Sequence, residues 1–232
     1  MNYLAIDAST EACSVALTVN GKVYSRYDLC PQSHSLQLLP MVDALLKEAN
    51  VKLAELDGLI FGQGPGSFTG VRIGVGVAQG LAFSANLPVV GVSSLQAMAQ
   101  AAYTEHEQTK VIAAIDARMG EAYNAYFILD EHNIMQEQGS AAVTPPEQLA
   151  AHFSQLISQP VYGVGSAWDA YSEHLSILKS NQGNPDILFP NALSMLTIGE
   201  AKFKQGLGVS AEEAQPVYVR DTVSWKKLPG RE

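Results

Sequence analysis

Residues 59–85 read LIFGQGPGSFTGVRIGVGVAQGLAFSA. Leu59-Ile60-Phe61 is a short apolar run of the kind that forms a buried strand. Gly62-Gln63-Gly64-Pro65-Gly66 then turns the chain, because Gly and Pro are the strongest local breakers. Ser67 stands where an N-cap would, its hydroxyl free to accept from the first orphan N–H groups of a helix. The spacing predicts a helix from Phe68 to Ala85, about 18 residues and roughly 27 Å long. That helix carries Gly70, Gly74, Gly76 and Gly80, each costing about 1 kcal/mol relative to Ala. Close packing of another backbone on the bare positions is the natural offset. On a helical wheel Gly70, Gly74, Ala78 and Ala85 fall on one side, Gly76 and Gly80 on another, and Arg72 and Gln79 mark the polar edge. A helix apolar nearly all round is buried on most sides, which predicts a sheet on one side and a partner on the other.

Upstream, Tyr3–Asp7 reads as a strand ending in a carboxylate, and Ala12–Val19 as a second strand. Asn20-Gly21 is a hairpin signal, and Lys22–Leu29 returns as a third strand. In SHSLQLLPMVDALLKEAN, Leu38, Leu39, Val42, Leu45, Leu46 and Ala49 share one helical face, with Pro40 in the first turn or at a kink and Leu36 and Met41 left outside or at the edge. Downstream, Leu87–Val92 is a strand and Ser93 caps a helix to about Glu105. Then the pattern restarts. Ala5-Ile6-Asp7-Ala8 reappears as Ala114-Ile115-Asp116-Ala117, each followed by a short turn and a strand, Cys13–Val19 first and Ala122–Leu129 later. Helices over 145–158 and 167–179, a strand over 161–164, a loop over 181–190, a helix capped by Ser194 and running to about Gln205, and an extended piece from Pro216 to Arg220 complete the chain. A β-β-β-α-β-α unit given twice predicts a two-lobed α/β protein with mixed sheets, divided into 1–108 and 109–232.

The 232 residues are 47% apolar and carry a formal net charge of −9. That balance argues against the chain gripping nucleic acid by itself, since phosphate neutralisation needs a basic surface. The tail from Trp225-Lys226-Lys227 to Arg231 is the one local basic stretch, either a patch or a solvated end. No signal peptide pattern precedes the first strand and no apolar run is long enough to span a bilayer, so a cytoplasmic location is expected. Cys13 and Cys30 make no metal or redox spacing, and Cys13 reads as a buried free thiol.

The glycine loop lacks the Lys of a P-loop, because Gly66 is followed by Ser67-Phe68, and a dinucleotide fingerprint would need Gly where Ser67 stands. Two readings stay open: a helix N-terminus that receives an anion, or a purely structural turn. Asp7, Ser9, Gly64, Gly66 and Ser67 are the candidate residues of such a degenerate nucleotide or anion site. Asp7 and its counterpart Asp116 either face a cleft or cap turns. The histidines, at 34, 106, 132, 152 and 174, never stand at helical ligand spacing, so no metal site is expected. His34 reads as a capping or surface residue. Trp168 and Trp225 read as packing aromatics, and no nucleophile elbow is marked.

IDAST at the start, GPGSFTGVRIG with its strand and helix, DARMGEAY at the repeat and PVYVRD near the end together resemble the TsaB (YeaZ) family. The resemblance implies the actin-like, sugar-kinase and Hsp70-type ATPase fold, of ribonuclease H-like units. It implies a part in making threonylcarbamoyladenosine beside the anticodon of tRNA. The transferase chemistry in that scheme belongs to a paralogue, TsaD, with a metal-binding histidine pair this chain lacks. The TsaE ATPase joins the complex, and a separate synthase makes the threonylcarbamoyl-adenylate donor. The expectation is therefore a noncatalytic subunit with no catalytic residue, no tightly bound cofactor and at most a weak or shared ATP/ADP site in the complex. tRNA is met through the complex. The glycine helix and the helix around Leu36–Ala49 should pair with their counterparts on TsaD, or on a second copy when TsaD is missing. Leu36, Met41, Gly70, Gly74, Val77 and Ala78 are the expected interface residues. An independent ATP-dependent phosphotransferase of the same fold would show ATP turnover by the chain alone. A homodimeric scaffold would ignore a TsaD-like partner, and a metallopeptidase lacks its ligands.

Overall fold

A computed structural model describes residues 1–156, 161–175 and 187–220. The first sheet contains β1 (Tyr3–Asp7), β2 (Ala12–Val19), β3 (Lys22–Leu29), β4 (Gly58–Gly64) and β5 (Val89–Ser93), in the order β3-β2-β1-β4-β5. β1 runs antiparallel to β2 and parallel to β4, with Asp7 opposite Ser14 and Ile6 opposite Phe61. The second sheet contains β6 (Lys110–Asp116), β7 (Ala122–Leu129), β8 (Met135–Thr144) and β9 (Tyr162–Val164), in the order β8-β7-β6-β9. Its first four positions repeat the directions of the first sheet, with β6 antiparallel to β7 and parallel to β9. The repeated AIDA stretches end the equivalent strands β1 and β6. This duplicated, two-sheeted α/β arrangement is the one expected from the repeat, and it agrees with the actin-like fold that the resemblance implies.

Helix α1 (His34–Ala49) and α2 (Phe68–Ala85) pack beside each other on one face of the first sheet. They bury Leu38, Val42, Leu45, Val71, Val75 and Ala78 against Leu4, Ile6, Val15 and Leu59. Leu39 departs from its expected inward face and is half exposed, while Met41 is partly buried against that core. His34 is buried rather than on the surface. Pro40 lies past the first turn of α1. Helix α2 begins and ends where the sequence places it, and the Ser67 hydroxyl accepts from the Gly70 N–H at 3.3 Å.

Helix α3 (Ser94–His106), capped by Ser93, buries Leu95, Met98 and Ala102 against Val111, Ala113 and Phe127 of the second sheet. Helix α4 (Pro146–Leu156) buries Leu149 and Phe153 against Ile112 and Ala114 on the opposite face. The single helix expected over 167–179 is instead two short turns, α5 (Ala167–Ala170) and α6 (Ser172–Leu175), separated at Tyr171; the rest of that stretch, and most of the expected 181–190 loop, lie outside the described residues. Among the described residues the second unit has no counterpart of β5.

The last helix, α7 (Ala192–Lys204), is capped by Asn191, whose side chain accepts from the Leu193 N–H at 2.9 Å, and not by Ser194. It corrects the division at residue 108. α7 crosses back to the first sheet and buries Met195, Leu196 and Ile198 against Tyr3, Ala5, Ala16, Ile60 and Val90. The chain then adds a bridge from Val209 to Val89 and a 3-10 turn over 211–213, which packs against α2. The first lobe is thus built from both ends of the chain. Its sheet needs cover on two faces, and α1 and α2 cover one. No helix among the described residues is long and apolar enough to cross a membrane.

Candidate functional site

The turn after β1 is threaded into the turn after β4. The Ser67 N–H donates to the Ser9 carbonyl at 2.7 Å. A methyl group built on Gly66 would overlap that same carbonyl, and one on Gly70 would overlap the Ala8 carbonyl. Gly74 faces Ala8 as well, with only van der Waals room, 3.7 Å, beyond its bare position. The glycines of the first turns of α2 therefore admit the backbone of residues 8–9, which is the offset their helix cost requires. Asp7 ends β1 at 1% exposure. Its Oδ1 accepts from the Ser9 N–H at 3.1 Å and from the Ser9 hydroxyl at 3.0 Å, and that hydroxyl lies 2.8 Å from the Ser94 Oγ. Its Oδ2 has no partner among the described residues and sits over Gly62, where any side chain would overlap it.

Asp7, Ser9, Gly66 and Ser67 thus come together as expected, but around a filled space. Gly64 stands apart from them. It has a positive φ of 94°, and its bare face meets the Val217 carbonyl and Val71. The Ser9 carbonyl already takes the Ser67 N–H just ahead of α2, and the Ser67 hydroxyl takes the Gly70 N–H.

The second half of the duplication closes over the first. Asp116 ends β6, and its Oδ1 accepts from the Arg118 N–H at 2.9 Å and from the Tyr171 hydroxyl at 2.8 Å. Burial and the Asp116 carboxylate push the Tyr171 hydroxyl up to about 12, so it stays a donor. Arg118, in a left-handed turn at φ 61°, reaches from Asp116 at 3.2 Å to Glu11 at 2.6 Å in the β1–β2 turn. Arg220 clasps Glu121 and the Ala117 carbonyl, and Val217 donates to the Gln63 carbonyl at 2.8 Å. The segment 217–220 therefore ties the β4–α2 turn to the β6–β7 turn. Glu11, Gly62, Ser94 and Arg118 are the site residues that spacing did not single out; the repeat itself could have flagged Arg118, since it follows the second AIDA.

The buried Asp7 carboxyl is pushed up from the ordinary aspartate value of 3.8 to about 6, chiefly by burial and against the two hydrogen bonds from Ser9. The folded chain holds this proton more tightly than the unfolded chain does. The group's contribution to stability is therefore most favourable below about pH 4 and declines as pH rises to about 6. One pKa unit corresponds to about 1.4 kcal/mol, so the decline is of order 3 kcal/mol. Asp7→Asn cannot ionise. Urea denaturation of parent and variant at intervals from pH 4 to 7 should show the stability difference shifting in favour of the variant by about that amount and levelling off above pH 6. A difference that stays flat across the window would show that folding leaves Asp7 at its ordinary carboxylate pKa.

The second candidate feature is the outer face of α1 and α2. Leu36 is 73% exposed and Phe83 72%, with Leu39 and Phe68 about half exposed. Between them α2 presents Gly76 and Gly80, with nothing within 4 Å of either bare position. This corrects the expected interface set. Gly70, Gly74 and Ala78 are buried inside the lobe, Met41 and Val77 are partly buried, and Leu36 is fully on the surface. The two glycine pairs of α2 do different jobs: one pair admits its own chain, and the other is left bare.

The family model described as "TsaD: tRNA N6-adenosine threonylcarbamoyltransferase" matches residues 28–222. The chain is 45% identical, over the whole of both chains, to the tRNA threonylcarbamoyladenosine biosynthesis protein TsaB of Escherichia coli strain K12. It is 44% identical to the protein of the same description from Haemophilus influenzae, over 100% of this chain and 99% of that one. Among solved structures, YeaZ from Pseudomonas aeruginosa superposes with a TM-score of 0.84 at 43% identity, covering 94% of this chain and 99% of that one.

Proposed function

The chain belongs to the TsaB family of tRNA threonylcarbamoyladenosine biosynthesis proteins, and on that premise we propose that it is a noncatalytic subunit that docks a TsaD-like threonylcarbamoyltransferase. Its function lies in making threonylcarbamoyladenosine in tRNA. The observation that carries the docking role is the outer face of α1 and α2, where large apolar side chains flank two bare glycines. Small residues let helix axes approach closely, and a matching pair from a paralogue would complete a four-helix bundle. The same face serves a second copy of this chain when the paralogue is missing. A TsaE-like ATPase joins the assembled pair, and any ATP or ADP is held by the complex rather than by this chain. With a net charge of −9, the chain meets tRNA through the complex, in the cytoplasm.

The noncatalytic reading is supported by the filled head of α2 and by the bridge from Asp116 through Arg118 to Glu11. Reconstitution with purified TsaD-like and TsaE-like proteins and tRNA tests both halves. Modification is expected to require this chain, and Asp7→Asn is expected to support it at a rate within a few-fold of the parent. Loss of turnover by a folded, fully assembled Asp7→Asn complex would place a catalytic group here. The expected basic patch at Trp225–Arg231 lies outside the described residues.

A further inference from the structure

At the edge of the outer face of α2, Arg72 is held against two exposed aromatic side chains. Its guanidinium carbon lies 3.4 Å from the centre of the Phe68 ring, one turn earlier on the helix, and 5.5 Å from the centre of the Tyr218 ring. Its Nε donates to the Tyr218 hydroxyl at 2.8 Å. Tyr218 is brought there by the segment that bonds Gln63 through Val217. One edge of the guanidinium is thereby fixed through Nε, and its terminal N–H groups have no partner among the described residues.

The other arginines with described side chains are all paired. Arg26 meets Glu48, Arg118 meets Glu11 and Asp116, and Arg220 meets Glu121. Arg72 has no carboxylate within reach among the described residues, in a chain with 23 acidic side chains against 14 basic ones. A stacked guanidinium loses little freedom when it binds, and its planar fork matches a carboxylate with two parallel hydrogen bonds. Arg with Phe and Tyr around it is also the composition of an interface hot spot.

We infer that Arg72, on its Phe68–Tyr218 platform, is the polar anchor of the α2 docking face and receives an acidic side chain of the TsaD-like partner. This rests on the docking reading above and adds the chemistry of the partner's matching position. The cluster is continuous with the bare glycine face, since Phe68, Arg72, Gly76 and Gly80 follow one another at four-residue steps along α2. It has no carboxylate partner among the described residues, and the charge it lacks is negative.

The test measures association of the full-length chain with the purified TsaD-like protein by calorimetry, after circular dichroism confirms folding. Arg72→Gln is expected to weaken the heterodimer about tenfold or more, mostly through faster dissociation. Arg72→Lys should restore only part of this, because a point charge cannot make the fork. Phe68→Leu, which keeps the charge and loses the platform, should cost several-fold. Gly76→Leu tests the underlying docking reading separately. If Gly76→Leu breaks association and Arg72→Gln leaves it unchanged, the anchor is overturned and the docking face stands. If Gly76→Leu is also silent, both fall. If Arg72→Gln spares the heterodimer but weakens tRNA binding by the assembled complex, the fork meets phosphate and the inference is wrong. If it weakens only self-association, the carboxylate belongs to a second copy, and the inference is wrong in that direction.

Discussion

Gly76→Leu should fold more stably than the parent and bind the TsaD-like partner far more weakly. The two halves of that result have opposite signs because they come from different surfaces. In the isolated chain a side chain at residue 76 meets nothing within 4 Å. Replacing an exposed helical glycine by leucine then gains roughly 0.5–1 kcal/mol of helix propensity. In the docking proposed above, the same position is where a second helix axis would approach. Forced overpacking costs about 1–3 kcal/mol, a loss of affinity of roughly five- to 150-fold. Urea denaturation reads the first effect and sedimentation with the partner reads the second. Gly74→Leu is the contrasting variant. Its side chain would grow toward Ala8, 3.7 Å away, so it should destabilise the fold itself. A Gly76→Leu chain that assembles normally removes the outer face of α2 from the interface.

Gly62→Ala is expected to be strongly destabilising. The added methyl would overlap Asp7 Oδ2. The carboxylate cannot swing away, because Ser9 holds its other oxygen and the site is closed to solvent. The cost should reach the upper end of the overpacking range, about 3 kcal/mol. Asp7→Ala removes the obstacle, so the double variant Asp7→Ala with Gly62→Ala should be less destabilised than the sum of the single changes by at least about 1 kcal/mol. Denaturant midpoints of the four proteins measure this. Additivity within about 0.5 kcal/mol would show that Asp7 is not what requires glycine at this position.

The contrast between these glycines marks the limit of sequence reading here. The stretch from Leu59 to Ala85 specifies its local structure by itself. An apolar run, a glycine and proline turn, an N-capping serine and an uninterrupted apolar helix all act within a few residues; the cap and both helix ends stand where they were expected, while the strand runs on through Gly64 into the expected turn. The repeat of AIDA likewise predicted two equivalent strand ends, because an internal duplication is written in the chain whatever its packing. A hydrophobic wheel, however, reports only that a position is apolar or bare. It cannot tell a glycine that admits its own chain from one that awaits another. Gly70 and Gly74 were placed outward with Ala78, and they turned out to receive Ala8, more than sixty residues upstream.

The same limit governs the lobes and the site. The periodicity of Ala192–Lys204 announced a helix but carried no information about which sheet it covers. The first sheet decided that, because its second face, lined by Tyr3, Ala5, Ile60 and Val90, lies opposite the one that α1 and α2 cover. Asp7 was legible as a strand-ending carboxylate. Its burial, its unpartnered oxygen and its rise to about 6 arise from Gly62 and from the turn threaded beneath α2. The sequence determined the elements, their caps and their duplication, since those follow from interactions between near neighbours. Only the tertiary structure decided which bare surfaces are filled from within and which stay exposed, since those contacts join residues far apart in the chain and are set by the faces that the sheets leave open.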